Sequence, residues 1–281
     1  MMPRLLLLGC LVAAACDGGL SHRSYAEGAG SVPIDASVRK VRIEVGSGTV
    51  EVGRTDDVTG SKEVRWKGGV RRAADSAEAL ALVEQVPIGL VLAPRGASDD
   101  PAVLRLSAPH LPPGVAAVLG FEARLLVPAR LELELIATGS CHVTTNDREA
   151  ATTIETGRGD LRFGNCTGGL RARTGRGMVI AFDHRGDLDL HTMVGDIHAF
   201  VRAPGRLLRL VTGEGNVQCH VPDSLEFRVD ARAAIGRIGN DFGLPVERVG
   251  DYGAAMVGGR GGDGTEVVLR TGKGHLTLAN R

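Results

Sequence analysis

The sequence predicts an all-β chain wound as a single-stranded β-helix, a solenoid with rungs of about 18–21 residues, plus one short helix near the N-terminal part. Three observations predict it. A short phrase recurs: a small or β-branched residue, Gly, any residue, Gly, any residue, then an aliphatic. Its clearest copies begin at Thr156, Thr174, Thr212 and Thr271, with weaker ones at Thr138, Thr192 and Ala233. The steps between them are 18, 18, 18, 20, 21 and 38 residues, and a fixed period near twenty is the signature of stacked repeats. The 38-residue step reads as two periods with one degenerate copy. Second, apolar residues alternate within each copy and align between copies. Third, 40 of 281 residues are Gly and only 3% are aromatic, which suits a narrow coil with little room for rings.

Two aligned columns define the expected inner face. Five places after the lead residue stand Val143, Leu161, Val179, Ile197, Val217, Ile238 and Leu276; two places before it stand Ile136, Ile154, Ala172, Leu190, Leu210, Ala231 and Leu269. Polar residues such as Glu155, Arg173, His191 and Arg270 fall between them, on the outer face of the pleat. The structural turn glycines are Gly157, Gly159, Gly175, Gly177, Gly195, Gly213, Gly215, Gly236, Gly272 and Gly274, where backbone with φ > 0 is sterically open. Further bends at Gly164-Asn165, Gly168-Gly169, 183–186 and Pro204-Gly205 give two short strands and two bends per period. One rung buries too few side chains to offset its own ordering, and its strands gain partners only by stacking. A β-sandwich with Gly-rich turns competes, but it would not enforce an 18-residue period with aligned columns.

The N-terminus reads as an export signal over residues 1–15. Arg4 precedes an apolar run of eleven residues, 5–15, too short to span a membrane and suited to a signal-peptide core. Ala13-Ala14-Ala15-Cys16 resembles the lipobox of bacterial lipoproteins, which implies that Cys16 is the lipid attachment residue. Leu7-Leu8-Gly9-Cys10 also fits a lipobox, but it leaves a core of only four leucines. Residues 16–34, rich in Gly, Ser and Ala, read as a flexible tether.

Residues 35–281 read as one domain, irregular over 35–128 and regular over 129–281. Val41, Ile43 and Val45 alternate ahead of Gly46-Ser47-Gly48, as a first capping rung. Val64 and Trp66 mark another strand, with Trp66 in a core or cap role. Asp75 with Glu78 resembles a capping box opening a helix whose apolar face is Ala79, Leu82, Val83 and Val86. Residues 88–93, 103–107 and 121–127 are further strands, with an irregular proline-containing link at 109–113. Leu131, Leu133 and Leu135 lead into the repeats.

The repeat copies, with Phe242-Gly243-Leu244-Pro245 and the Gly-rich segment from Val257 to Gly264, resemble the bacterial putative-adhesin family, a domain of unknown function, over residues 38–281. The resemblance implies a right-handed β-helix at the cell envelope and carries no catalytic residues. Cys141 departs from the pattern where the second Gly is expected, as do Met193-Val194 and Ala234-Ile235; different bends are expected there.

The chemistry-bearing residues form no recognisable active-site pattern. Cys141, Cys166 and Cys219 fall at different repeat positions, and whether any pair forms a disulfide is left open. His142, His184, His191, His198, His220 and His275 lack metal-ligand spacing, so no metal or cofactor is expected. Asp160, Asp196 and Glu214 are the candidates for a carbohydrate-active enzyme, but Met178 separates the two aspartates and no sugar-stacking ring is evident nearby. The Gly-rich tail precedes no helix, which argues against a nucleotide site. Balanced charge, 33 basic against 33 acidic residues, argues against nucleic acid. The expectation is a non-catalytic, lipid-anchored cell-envelope protein, on the periplasmic face or at the outer membrane or cell surface. Its β-helix would meet a protein or polysaccharide partner. An envelope-stress sensor or assembly partner is the other non-enzymatic reading.

Overall fold

A computed structural model describes residues 20–55, 62–86, 88–92, 100, 102–108, 117–262 and 264–281. The leader, Cys10, Cys16 and the prolines at 109–113 lie outside the described residues. The described chain is all-β in mixed parallel and antiparallel pairing, with one short helix. It divides into two compact units, one ending at His142 and the other running Val143–Arg281.

The first unit contains β1 (His22–Pro33), β2 (Lys40–Val45), β3 (Gly48–Gly53), β4 (Glu63–Ala74), α1 (Ala77–Glu84), β5 (Val91–Leu92), β6 (Val103–Ser107), β7 (Ala117–Leu126) and most of β8 (Glu132–Asn146). β2 lies between β6 and β8, parallel to both: Ile43 is level with Leu106 on one side and Leu135 on the other. All three are completely or almost completely buried, so the first rung is flanked by strands made 60 and more residues later only because their apolar alternation matches. β3 pairs in parallel with β7, and β4 runs antiparallel between β7 and β1.

Three local expectations are corrected here. Residues 22–33 are not a tether: they form β1, paired along its whole length with β4. The small residues serve packing rather than flexibility, because a Cβ on Gly30 would sit 2.9 Å from Trp66 Nε1 and one on Gly28 3.1 Å from the same ring. The helix is capped by Ser76, whose hydroxyl accepts the Ala79 N–H at 3.1 Å, one residue beyond Asp75. Its buried contacts are Val83 and the following Val86, while Leu82 is exposed. The strand expected over 88–93 is reduced to Val91–Leu92 in the described residues.

The second unit contains β9 (Thr152–Arg158), β10 (Leu161–Gly164), β11 (Leu170–Arg176), β12 (Val179–Val194), β13 (Ile197–Glu214), β14 (Val217–Val221), β15 (Phe227–Ile235), β16 (Ile238–Asn240), β17 (Glu247–Val249), β18 (Gly253–Arg260), β19 (Thr265–Lys273) and β20 (Leu276–Asn280). Val143, Leu161, Val179, Ile197 and Val217 are level neighbours in successive parallel pairs and are buried. Ile154, Ala172, Leu190 and Leu210 form the second column. Ile136 departs from it: it is half-buried, and Leu135 and Ala137 face inward instead, a one-residue slip that reverses the pleat.

The 38-residue step hides no degenerate copy. Leu276 is level with Val217 on one side and Ile238 on the other, and Leu269 with Leu210 and Ala231. The chain lays down β15 and β16, turns back through antiparallel β17 and β18, and then inserts β19 and β20 between strands already named. β18 covers the other edge of β15, so β15 is paired on both sides.

Candidate binding face

The second unit has two sets of paired strands joined at the Gly turns. One set is β9, β11, the later parts of β12 and β13, β19 and β15; the other is β10, the early parts of β12 and β13, β14, β20 and β16. The turn between them is repeated. The second glycine of each pair (Gly159, Gly177, Gly195, Gly215, Gly236 and Gly274) has φ between 127° and 150°. At Gly177 a Cβ would lie 2.1 Å from the carbonyl oxygen of Gly159, so both conformation and space require glycine. The first glycines Gly157, Gly175, Gly213 and Gly272 are the next-to-last residues of their strands. Copies lacking the first glycine, Met193 and Ala234, still turn at Gly195 and Gly236, with φ 144° and 150°. At Cys141 the positive-φ residue of the other copies is missing, and β8 is one continuous strand through the position.

The lead threonines lock these turns. Thr174 Oγ1 donates to Gly159 O at 3.2 Å, Thr192 to Gly177 O at 3.1 Å, Thr212 to Gly195 O at 2.8 Å and Thr271 to Gly215 O at 2.8 Å. The suspected catalytic carboxylates belong to the same scaffold. Asp160 Oδ1 accepts the Met178 N–H at 2.9 Å and Asp196 Oδ1 the Asn216 N–H at 2.7 Å. Asn216 Oδ1 accepts the His275 N–H at 2.9 Å, and His275 Nδ1 the Arg237 N–H at 3.1 Å. These side chains hold successive turns together. Glu214 is exposed at the end of β13.

The outward side chains of the first strand set form level rows. One row runs Thr153, Arg171, Asp189, Arg209, Val268, Asp230; the next runs Glu155, Arg173, His191, Val211, Arg270, Arg232. Leu207, Glu266 and Arg228 extend the face at one edge. Arg171 pairs with Asp189 at 3.4 Å, while Arg232 and Arg270 share Asp230. Burial pushes the Asp230 carboxyl up, but the Arg270 and Arg232 guanidiniums outweigh it and hold the carboxyl below its usual range. Arg173 and Arg209 are exposed and make no ion pair among the described residues. A shallow groove of about 420 Å³ lies here, lined by Leu207, Arg209, Val211, Glu266, Val268 and Arg270. A second of about 760 Å³ shares Glu266 and adds Arg206, Arg228 and Asp230.

Rings do line up, but on the other strand set. Phe182 and Phe200 stack at 5.0 Å, and Phe200 and His220 at 4.5 Å. Their faces are turned to one another, a cross-strand ladder. The second bend carries its own column: Asp147, Asn165 and Asp183 all have φ near 50–57°, and Asn165 Nδ2 donates to Asp147 Oδ1 at 2.7 Å. One residue on, Arg148, Cys166 and His184 are all buried. The 18-residue spacing of the turn glycines also marks 147, 165 and 183, and 148, 166 and 184. The arginine rows depended on knowing which rung follows which. Cys141, Cys166 and Cys219 are free thiols. Among the described residues no group of three His, Cys, Asp or Glu could hold a metal.

No family model matches the chain, and no curated protein matches it. Solved structures similar to the chain include two bacterial proteins. A putative cell adhesion protein from Clostridium sporogenes aligns at 12% identity with a TM-score of 0.36, over 91% of this chain and all of the other. A putative adhesin from Bacteroides fragilis aligns at 14% identity with a TM-score of 0.46, over 91% of this chain and 97% of the other.

Proposed function

We propose that the chain is a non-catalytic, adhesin-like protein of the bacterial cell envelope, whose second unit is a right-handed solenoid serving as a binding or structural surface. One observation carries the reading. The parallel strands repeat in level register, so that outward side chains form rows about 4.8 Å apart along a rigid face. Such a face suits display. The carboxylates that an enzyme would need, Asp160 and Asp196, are instead engaged by backbone N–H groups of the next turn. Anchoring is part of the proposal: Cys16 carries the lipid, residues 17–21 are the spacer before β1, and fully extended they span at most ~18 Å. The first unit would then sit close to the bilayer.

The test is metabolic labelling of the full chain with palmitate, with and without globomycin, beside Cys16→Ser. Label that depends on Cys16, together with cell-surface or periplasmic exposure, supports the reading. Unchanged labelling of Cys16→Ser, or a chain released from the membrane fraction, counts against it.

A further inference from the structure

We propose that the arginine-rich face of the second unit binds a linear anionic polysaccharide lying across its strands; this rests on the display reading above. The chain as a whole is neutral, yet this face is not. Arg173 and Arg209 stand on β11 and β13, two strands apart and two residues out of level, or roughly 12 Å between backbones at ordinary strand spacing and rise. Neither has an ion-pair partner among the described residues; of the acids on the face, Asp189 is held by Arg171 and Asp230 by Arg232 and Arg270, and Glu155 and Glu266 leave the two rows and their edge net positive. An unpaired guanidinium offers a planar fork that fits a carboxylate or sulfate oxygen pair. Between the charges, Leu207, Val211 and Val268 form an apolar floor to the groove. Alternating charge and apolar surface matches a chain whose sugars carry acidic groups on one edge and C–H surface on their faces.

Other polyanions and acidic partners fit less well. A single-stranded nucleic acid needs stacking platforms; no Phe, Tyr or Trp occurs in these outward rows. An acidic peptide added as a strand needs a free edge. Yet β11, β12, β13, β19 and β15 are each paired on both sides. On these five strands recognition therefore has to come from side chains.

The experiment measures binding of the purified full chain to polygalacturonate by biolayer interferometry at low and physiological salt. Fully methyl-esterified polygalacturonate, a mixed-sequence DNA oligonucleotide and phosphatidylglycerol vesicles are run alongside. We expect salt-sensitive binding to polygalacturonate. It should exceed binding to the ester, and Arg173→Gln/Arg209→Gln should weaken it roughly ten-fold or more with unchanged thermal stability. Equal binding to the ester, unchanged binding by the double variant, or preference for the oligonucleotide or the vesicles overturns the proposal. A chain that keeps its label at Cys16 and its surface exposure but binds no polygalacturonate loses the ligand assignment alone.

Discussion

Asn216 Oδ1 accepts the backbone N–H of His275 at 2.9 Å across 59 residues of sequence, one of the contacts that seat the final strands beside β13 and β14. Removing residues 265–281 would unpair β13 and β14 on one side and β15 and β16 on the other. The expected outcome is loss of cooperative unfolding and self-association through the bared edges, read by calorimetry and light scattering. Asn216→Ala, which removes one side-chain acceptor, should cost only about 1 kcal/mol.

The turn glycines differ sharply in what they tolerate. Gly177→Ala places a methyl 2.1 Å from a carbonyl oxygen at φ 149° and should destabilise by ~3 kcal/mol or more. Gly169→Ala meets nothing within 4 Å and should lie within about 0.5 kcal/mol of the parent. Urea titration of the two variants decides this; equal midpoints would contradict the stacked-turn geometry.

Acid should weaken the second unit through His184. Burial lowers its pKa below 6.5, opposed by the carbonyls of Asp187, Gly186 and Cys166. Nε2 lies 3.0 Å from Asp187 O, while the Nδ1 atom makes no close hydrogen bond. The unfolded chain therefore takes up the proton first as pH falls. Stability is full above the unfolded value and is lost through the window between it and the lowered folded value. Melting temperatures between about pH 8 and about pH 5 should fall in the parent. The part due to His184 should be absent in His184→Gln. The Arg281 guanidinium holds the Asp183 carboxyl below its usual range, so that pair persists through this window.

The three thiols should resist reagents in the folded chain. Burial pushes Cys141 and Cys219 up to about 12, and Cys166 upward as well, although Arg148 offsets part of that shift. An aromatic disulfide reagent should titrate none of them before denaturant is added and all three afterwards.

The repeated turns could be found in the sequence because their cause is local. A glycine at φ near 150°, a threonine three residues before it and an aliphatic two residues after it are set by one turn, and that turn is written again every 18 to 21 residues. Packing decided what no period could show. Val217 could as well have met Ile238 as Leu276, since both are aliphatic and at the same repeat position. The insertion of Leu276 between them follows from the facing edges of β14 and β16, both of which β20 pairs. The same limit applies to β1, whose Gly28 and Gly30 look like flexible linker until Trp66 lies against them. It applies again to the arginine face, because strand order rather than sequence distance brings Arg173 and Arg209 onto one face, in adjacent rows two strands apart. The chain alone determined its strands, turns and inward columns, since backbone sterics and alternation act over a few residues. Which strand lies beside which was left to the tertiary structure, because many apolar columns are interchangeable until hydrogen-bond edges must all be paired.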